Sequence, residues 1–286
     1  SELVILLLRR SSEFASQIQQ QSLVNTQSND PVVRATNKET SMTTFEYDSK
    51  QFRISHETEE RLGSLFRFNN ANATDNDVNE AIFILLARYN SFIGSDFGAG
   101  GLQAALPRKL FYRLNRDFDV TMECFASPLN SYFSTYCSAF FDSDSSFGSV
   151  GSFFDFYPVR GSFEANPPFC EKLMDKMVEH MEDLLGSSDE PLSFIVVVPS
   201  WDDASAYQSM QKSKFFRKLE VIPGREHYYK SGLQHEVNQH KKLYYAAVHD
   251  TSVFFLQNEA GHRAWTPTHH KLDNLNDAFH STNDSY

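Results

Sequence analysis

Gly161-Ser162-Phe163-Glu164-Ala165-Asn166-Pro167-Pro168-Phe169 is the stretch on which the reading of this chain turns. It reads as a short strand stopped by two prolines. The apolar spacing from Glu171 to Leu185 predicts a helix at once afterwards. Proline fixes φ and has no N–H, so the turn is stiff and its carbonyls are free to point outward. The side-chain oxygen of Asn166 and the carbonyl of Pro167 are two acceptors that can face one NH2 group, and Phe169 offers a face for a flat ring. That combination suits methylation of an exocyclic amine on a planar heterocycle. A plainer reading is a helix start, with Asn at the cap and Pro in the first turn.

Working outward, Leu173, Met174, Met177, Val178, Met181, Leu184 and Leu185 fall on one helix face, which reads as core, with Gly186 as a C-cap. Leu192 to Val198 is nearly all apolar, as a central parallel strand buried on both faces would be. Val120 to Phe125 is a compact strand, preceded by a helical stripe from Leu106 to Phe118 that Pro107 opens. Leu219 to Ile222 is a further strand ended by Pro223-Gly224, and Leu243 to His249 with Thr251 to Gln257 are expected to form a close antiparallel pair around Asp250. The expected fold is an open α/β sheet ending in that pair. Ligands of such sheets bind beyond the carboxyl ends of the strands, where Asn166 lies.

Before the sheet, Ser1 to Gln21 can be helical and Asn25 to Thr44 reads as loop or disorder. Two helices follow, one with Leu62, Leu65 and Phe66 and one with Ala81, Ile82, Leu85, Leu86 and Tyr89. A chain of 286 residues with 41% hydrophobic content can bury a sizeable core, and its first residue, Ser1, suggests a piece of a longer protein. Its apolar runs are too short to span a bilayer, so no membrane association is expected. Cys124, Cys137 and Cys170 make no CxxC pair, which argues against a disulfide frame or zinc site and for a reducing compartment. His269-His270 with Asp273 lacks a completing ligand and reads as solvated surface, so no metal is expected.

Net charge of −11 argues against non-specific coating of nucleic acid. From Gln208 to Lys242, however, eight lysines and arginines stand against three glutamates. That segment is either a defined phosphate contact or a solvated face. Glu123, near the end of its strand, can accept hydrogen bonds from a ribose diol or simply pair with a neighbour. Ser95 to Gly101 is a glycine-rich candidate cofactor loop without a clear preceding strand. No Gly-x-Ser-x-Gly elbow occurs, and methyl transfer needs none, because positioning and desolvation carry most of that reaction.

Taken in order, GLQAALP (101–107), ECFASPLN (123–130), YCSAF (136–140), the 161–169 run, LSFIV (192–196), SGLQH (231–235) and FLQN (255–258) resemble the phosphorylated-CTD-interacting factor family, the cap-specific adenosine N6-methyltransferases. The resemblance covers residues 80 to 270. It implies a Rossmann-like class I methyltransferase sheet preceded by a helical region, with S-adenosyl-L-methionine as cofactor. The implied substrate is the 2′-O-methyladenosine next to the 7-methylguanosine cap of RNA polymerase II transcripts, and the implied location is the nucleus. Asn166, Pro167, Pro168 and Phe169 inherit the catalytic role. Glu123, Phe125, Ser127, Pro128 and Asn130 become the cofactor wall, and Lys212, Arg217, Arg225 and His235 the candidate substrate contacts. The resemblance does not extend to the family's WW domain, which binds the phosphorylated polymerase tail, so that partner is expected to need a missing segment. The implied division is a helical, partly disordered region over 1–75, the methyltransferase domain over 76–270 and a polar tail over 271–286. A silent adaptor and another RNA or DNA adenine N6-methyltransferase remain as alternatives.

Overall fold

A computed structural model describes residues 32–93, 104–232, 234–237 and 243–281. The expected helix over Ser1 to Gln21 and the glycine-rich Ser95 to Gly101 stretch lie outside the described residues. Three strands, β1 (Val33–Asn37), β2 (Met42–Tyr47) and β3 (Lys50–Ser55), form an antiparallel sheet, followed by helices α1 (His56–Asn69) and α2 (Asp75–Ile93). Val33 to Thr44 is therefore largely strand, not the expected loop. Its polar composition misled because β1 is exposed throughout and needs only ladder hydrogen bonds to β2. Phe45 and Ile54 join Leu62, Phe66, Ile82 and Leu85 in one cluster, which also takes in Leu129, Phe140 and Phe147. This cluster runs across the expected division at residue 75.

The main sheet follows: α3 (Arg108–Phe118), β4 (Val120–Glu123), the short α4 (Phe141–Asp144), β5 (Gly161–Ala165), α5 (Glu171–Ser187), β6 (Leu192–Pro199), α6 (Ser205–Lys212) and β7 (Phe216–Ile222). After β8 (Tyr228–Lys230) and β9 (Tyr244–Ala246) come β10 (Thr251–Gln257), α7 (Glu259–Ala264) and α8 (His269–Phe279). The strand order is β4-β5-β6-β10-β7. β4, β5 and β6 are parallel, while β10 runs antiparallel between β6 and β7. The sheet is thus mixed and sits in an α/β fold.

Alternation along the central strands assigns the two layers. Phe194, Val196 and Val198 face a core with the α5 methionines, whereas Ile195 and Val197 face Leu110, Leu114, Leu275 and Phe279 of α3 and α8. The expected hairpin of Leu243–His249 with Thr251–Gln257 does not form. All seven residues of β10 are buried, so it takes an interior place in the sheet. The half-exposed β9 instead pairs with β8 in a separate two-stranded sheet. The expected polar tail is helical to Phe279, because Leu272, Leu275, Ala278 and Phe279 make an apolar stripe that packs on α3. Gly186 lies inside α5, whose C-cap is Ser188.

Candidate active site

The carboxyl end of β5 carries Asn166-Pro167-Pro168-Phe169. Helix α5 begins only at Glu171, with Cys170 as its N-cap, so Asn166 is not a helix cap. The Asn166 amide nitrogen donates to the carbonyl of Ala104 at 2.7 Å. Its oxygen is buried and receives no hydrogen bond among the described residues. The opposite amide orientation would set two oxygens against each other, so the contact to Ala104 fixes the oxygen as the vacant acceptor. A buried acceptor without a donor is costly, on the order of 1–3 kcal/mol. Phe169 is half-buried and edge-on to Trp201, with ring centroids 6.1 Å apart.

Residues at alternate positions of β5 share one face. On the face of Asn166 stand Ser162 and Glu164, and Ser162 Oγ and Glu164 Oε1 are likewise buried without hydrogen-bond partners. Phe163 and Ala165 fill the opposite face and belong to the α5 core. Glu164 was not singled out from sequence. The available signal was period two: a carboxylate two residues before Asn166 in a strand must point to its side.

Glu164 is register partner to Glu123 of β4. Glu123 is 3% exposed, and its Oε2 accepts the backbone N–H groups of Tyr132 and Phe133 at 2.8 and 2.9 Å. Burial pushes its carboxyl up to about 7, while those two N–H groups and Arg61 act the other way. Burial and the neighbouring Glu123 raise Glu164 well above the usual carboxylate range. Two carboxyls so placed do not both ionise at neutral pH, and the proton rests on Glu164.

Of the other expected cofactor-wall residues, Phe125 is partly buried. Its ring packs against Phe153 and Phe154 in the core. Ser127 and Asn130 close a tight turn, with the Asn130 oxygen accepting from the Ser127 N–H at 2.8 Å and hydroxyl at 2.9 Å. Arg61 of α1 donates to the carbonyls of Pro128 and Ser131 and clamps this turn from outside. Asn130 then lines a cleft together with Arg61, Arg108, Tyr132, Lys230 and Gln234.

The expected substrate cations do not converge. Arg217 opens β7 at the amino end of the sheet, opposite Asn166, where it bonds the Gln257 carbonyl and pairs with Glu259. Lys212 ends α6 at the same far end. Arg225 sits in the turn after β7, three strands from β5. The linear window was misleading because it follows β7 from one end of the sheet to the other. His235 alone comes near the cleft; it is buried, its Nδ1 has no partner, and burial lowers it to about 4. Among the described residues no group of three or more His, Cys, Asp or Glu is placed to hold a metal, and no helix is long and apolar enough to cross a membrane.

Residues 61–232 match the family described as "Phosphorylated CTD interacting factor 1 WW domain". Two curated relatives, from Homo sapiens and Mus musculus, are each named mRNA (2′-O-methyladenosine-N(6)-)-methyltransferase. They are 43% and 44% identical over 255 residues, which is 87% of this chain and 36% of each relative. The chain thus spans about a third of their length. The family match contains most of α1, the Glu123 turn, Asn166 and, of the cleft, Arg61, Arg108, Asn130, Tyr132 and Lys230, so the site and the similarity largely coincide. This chain belongs to the phosphorylated CTD interacting factor 1 WW domain family.

Proposed function

We propose that this chain is the catalytic region of an RNA methyltransferase that transfers a methyl group from S-adenosyl-L-methionine to N6 of a cap-adjacent 2′-O-methyladenosine. The observation that carries the reading is the Asn166 oxygen, a buried acceptor left vacant at the carboxyl end of a parallel strand. An exocyclic NH2 group supplies the missing donor. The names of the relatives support the choice of 2′-O-methyladenosine in mRNA as substrate and N6 as the accepting atom.

The parallel β4-β5-β6 run, with β10 inserted antiparallel before β7, supports a Rossmann-like methyltransferase sheet. The buried carboxyls of Glu164 and Glu123, side by side on adjacent strands, fit the hydroxyls of the cofactor's ribose. Glu123 and Asn130 would hold it. When bound, S-adenosylmethionine supplies an electrophilic methyl on a sulfonium. Asn166 Oδ1 accepts one amine hydrogen and the Pro167 carbonyl a second, which keeps the nitrogen lone pair out of the ring and aimed at the methyl. Phe169 supports the base through its ring face. The stiffness of Pro167-Pro168 holds both acceptors in place without reorganisation at the moment of reaction. Nascent polymerase II transcripts as substrate imply action in the nucleus, and contact with the phosphorylated polymerase tail would fall to other parts of a longer protein.

The test is to incubate the protein with capped and uncapped RNA beginning in 2′-O-methyladenosine, with labelled cofactor. Label entering only the capped RNA is expected. Bound cofactor without label in either RNA would refute the catalytic reading in favour of an adaptor.

A further inference from the structure

The cleft lined by Arg61, Arg108, Lys230 and Gln234 has a chemistry that the methyl-transfer residues do not use. We propose that it is an anion site that receives phosphate groups of the RNA beside the target nucleoside, an inference that rests on the RNA-modifying reading above.

The donors come from four separate segments of the chain. Arg61 projects from α1 and spends its guanidinium on backbone carbonyls of Pro128 and Ser131 and on Ser131 Oγ. No carboxylate ion-pairs with it among the described residues, although burial opposes its charge. Arg108 opens α3, whose N-cap, Pro107, provides no side-chain cap, so the first-turn N–H groups add positive potential there. Its guanidinium lies over the Tyr132 ring at 5.3 Å. Lys230 is 8% exposed and comes from β8. Gln234 Nε2 is buried with no acceptor. Against these donors the lining holds one acid, Glu57, which is exposed.

Three cations against one exposed acid, beside the neutral polar groups of Ser55, Thr58, Asn130 and Tyr132, select an anionic ligand. The amino-acid end of the cofactor is a zwitterion, and its ammonium would be repelled by those cations. Phosphate oxygens accept only, and bind arginine in two-pronged fashion. The cleft is also tied to the proposed catalytic turn: Ala104 accepts from Asn166, and Ala105 pairs with Lys230 through both backbone hydrogen bonds. A phosphate in the cleft would therefore fix the RNA next to Asn166.

The probe is inorganic tripolyphosphate, titrated calorimetrically into the wild-type protein and into Arg108→Gln, Arg108→Glu and Lys212→Gln, with S-adenosylmethionine titrated in parallel. Arg108 is the chosen site because it makes no side-chain hydrogen bond that folding would miss among the described residues. Arg108→Gln should weaken tripolyphosphate binding about tenfold and Arg108→Glu further, as expected for one charge-assisted contact. Lys212→Gln, at the far end of the sheet, should leave it unchanged, and cofactor affinity should stay within about twofold in all three. No saturable binding to the wild-type protein overturns the proposal, and so does equal affinity in both Arg108 variants. Loss of cofactor affinity instead of tripolyphosphate affinity also overturns it and assigns the cleft to the cofactor carboxylate. Arg108-dependent tripolyphosphate binding in a protein that methylates no RNA would leave the anion site standing and refute the catalytic reading alone.

Discussion

Glu123→Gln should remove a pH dependence that the wild-type fold builds into itself. In the folded protein the Glu123 carboxyl holds its proton to about pH 7, against an ordinary value of 4.5, mainly because it is buried. Below pH 4.5 both folded and unfolded chains keep that proton. Between 4.5 and 7 the unfolded chain releases it while the folded one does not, so stability falls as pH rises. Above 7 the loss is complete. At about 1.4 kcal/mol per unit, the two and a half units correspond to about 3 kcal/mol. Glutamine cannot ionise but still accepts from Tyr132 and Phe133. Relative to wild type, Glu123→Gln should therefore gain about 3 kcal/mol between pH 4.5 and 8. For a chain of this size that is a change of about 10 °C in the melting-temperature difference. Thermal denaturation of both proteins by circular dichroism, in matched buffers across that range, measures it. A difference that is constant with pH, or that moves against the variant at high pH, would refute the burial argument.

Further expectations concern the site and the scaffold. A Glu123 carboxylate that accepts ribose hydroxyls binds the cofactor better when ionised, so affinity for S-adenosylmethionine should rise from pH 6 to 8 in a calorimetric titration; a flat profile would remove Glu123 from the cofactor wall. Asn166→Ala should lower turnover on the order of 100-fold, with cofactor affinity little changed, as for loss of one interaction made in the transition state. Retained turnover would detach function from the vacant acceptor. Arg217→Ala should leave RNA affinity in a filter-binding assay at the wild-type value, since Arg217 is held at the opposite end of the sheet by Gln257 and Glu259. Gly261→Ala should destabilise strongly, by about 2 kcal/mol or more, because its Cβ would stand 2.2 Å from the Leu192 carbonyl oxygen; a melting temperature equal to wild type would contradict that packing.

What was legible in the sequence were the features carried by local patterns. The strand before Asn166, the α5 stripe from Met174 to Leu185 and the all-apolar β6 are each set by the period of their own side chains. Local pattern failed where burial was supplied from afar. β10 looks like half of a hairpin with its neighbour Leu243–His249, yet it is drawn between β6 and β7 because both its faces are apolar. β1 looks like loop because nothing covers it. Phe125 looks like a cofactor contact from its motif, but a benzyl side chain beside Phe153 and Phe154 is better used in the core.

By itself, the sequence determined that a stiff Asn-Pro-Pro-Phe turn would close a parallel strand in an α/β fold, because proline geometry and apolar periodicity act over a few residues. The partners of that turn were a tertiary matter. Only the packed chain brings Ala104 against the Asn166 amide and so leaves its oxygen vacant, aligns Glu164 with Glu123, and gathers Arg61, Arg108 and Lys230 from three elements into one cleft. The partners within each of these groups lie 41 to 169 positions apart along the chain, and no local rule links them; burial of the apolar faces around them does.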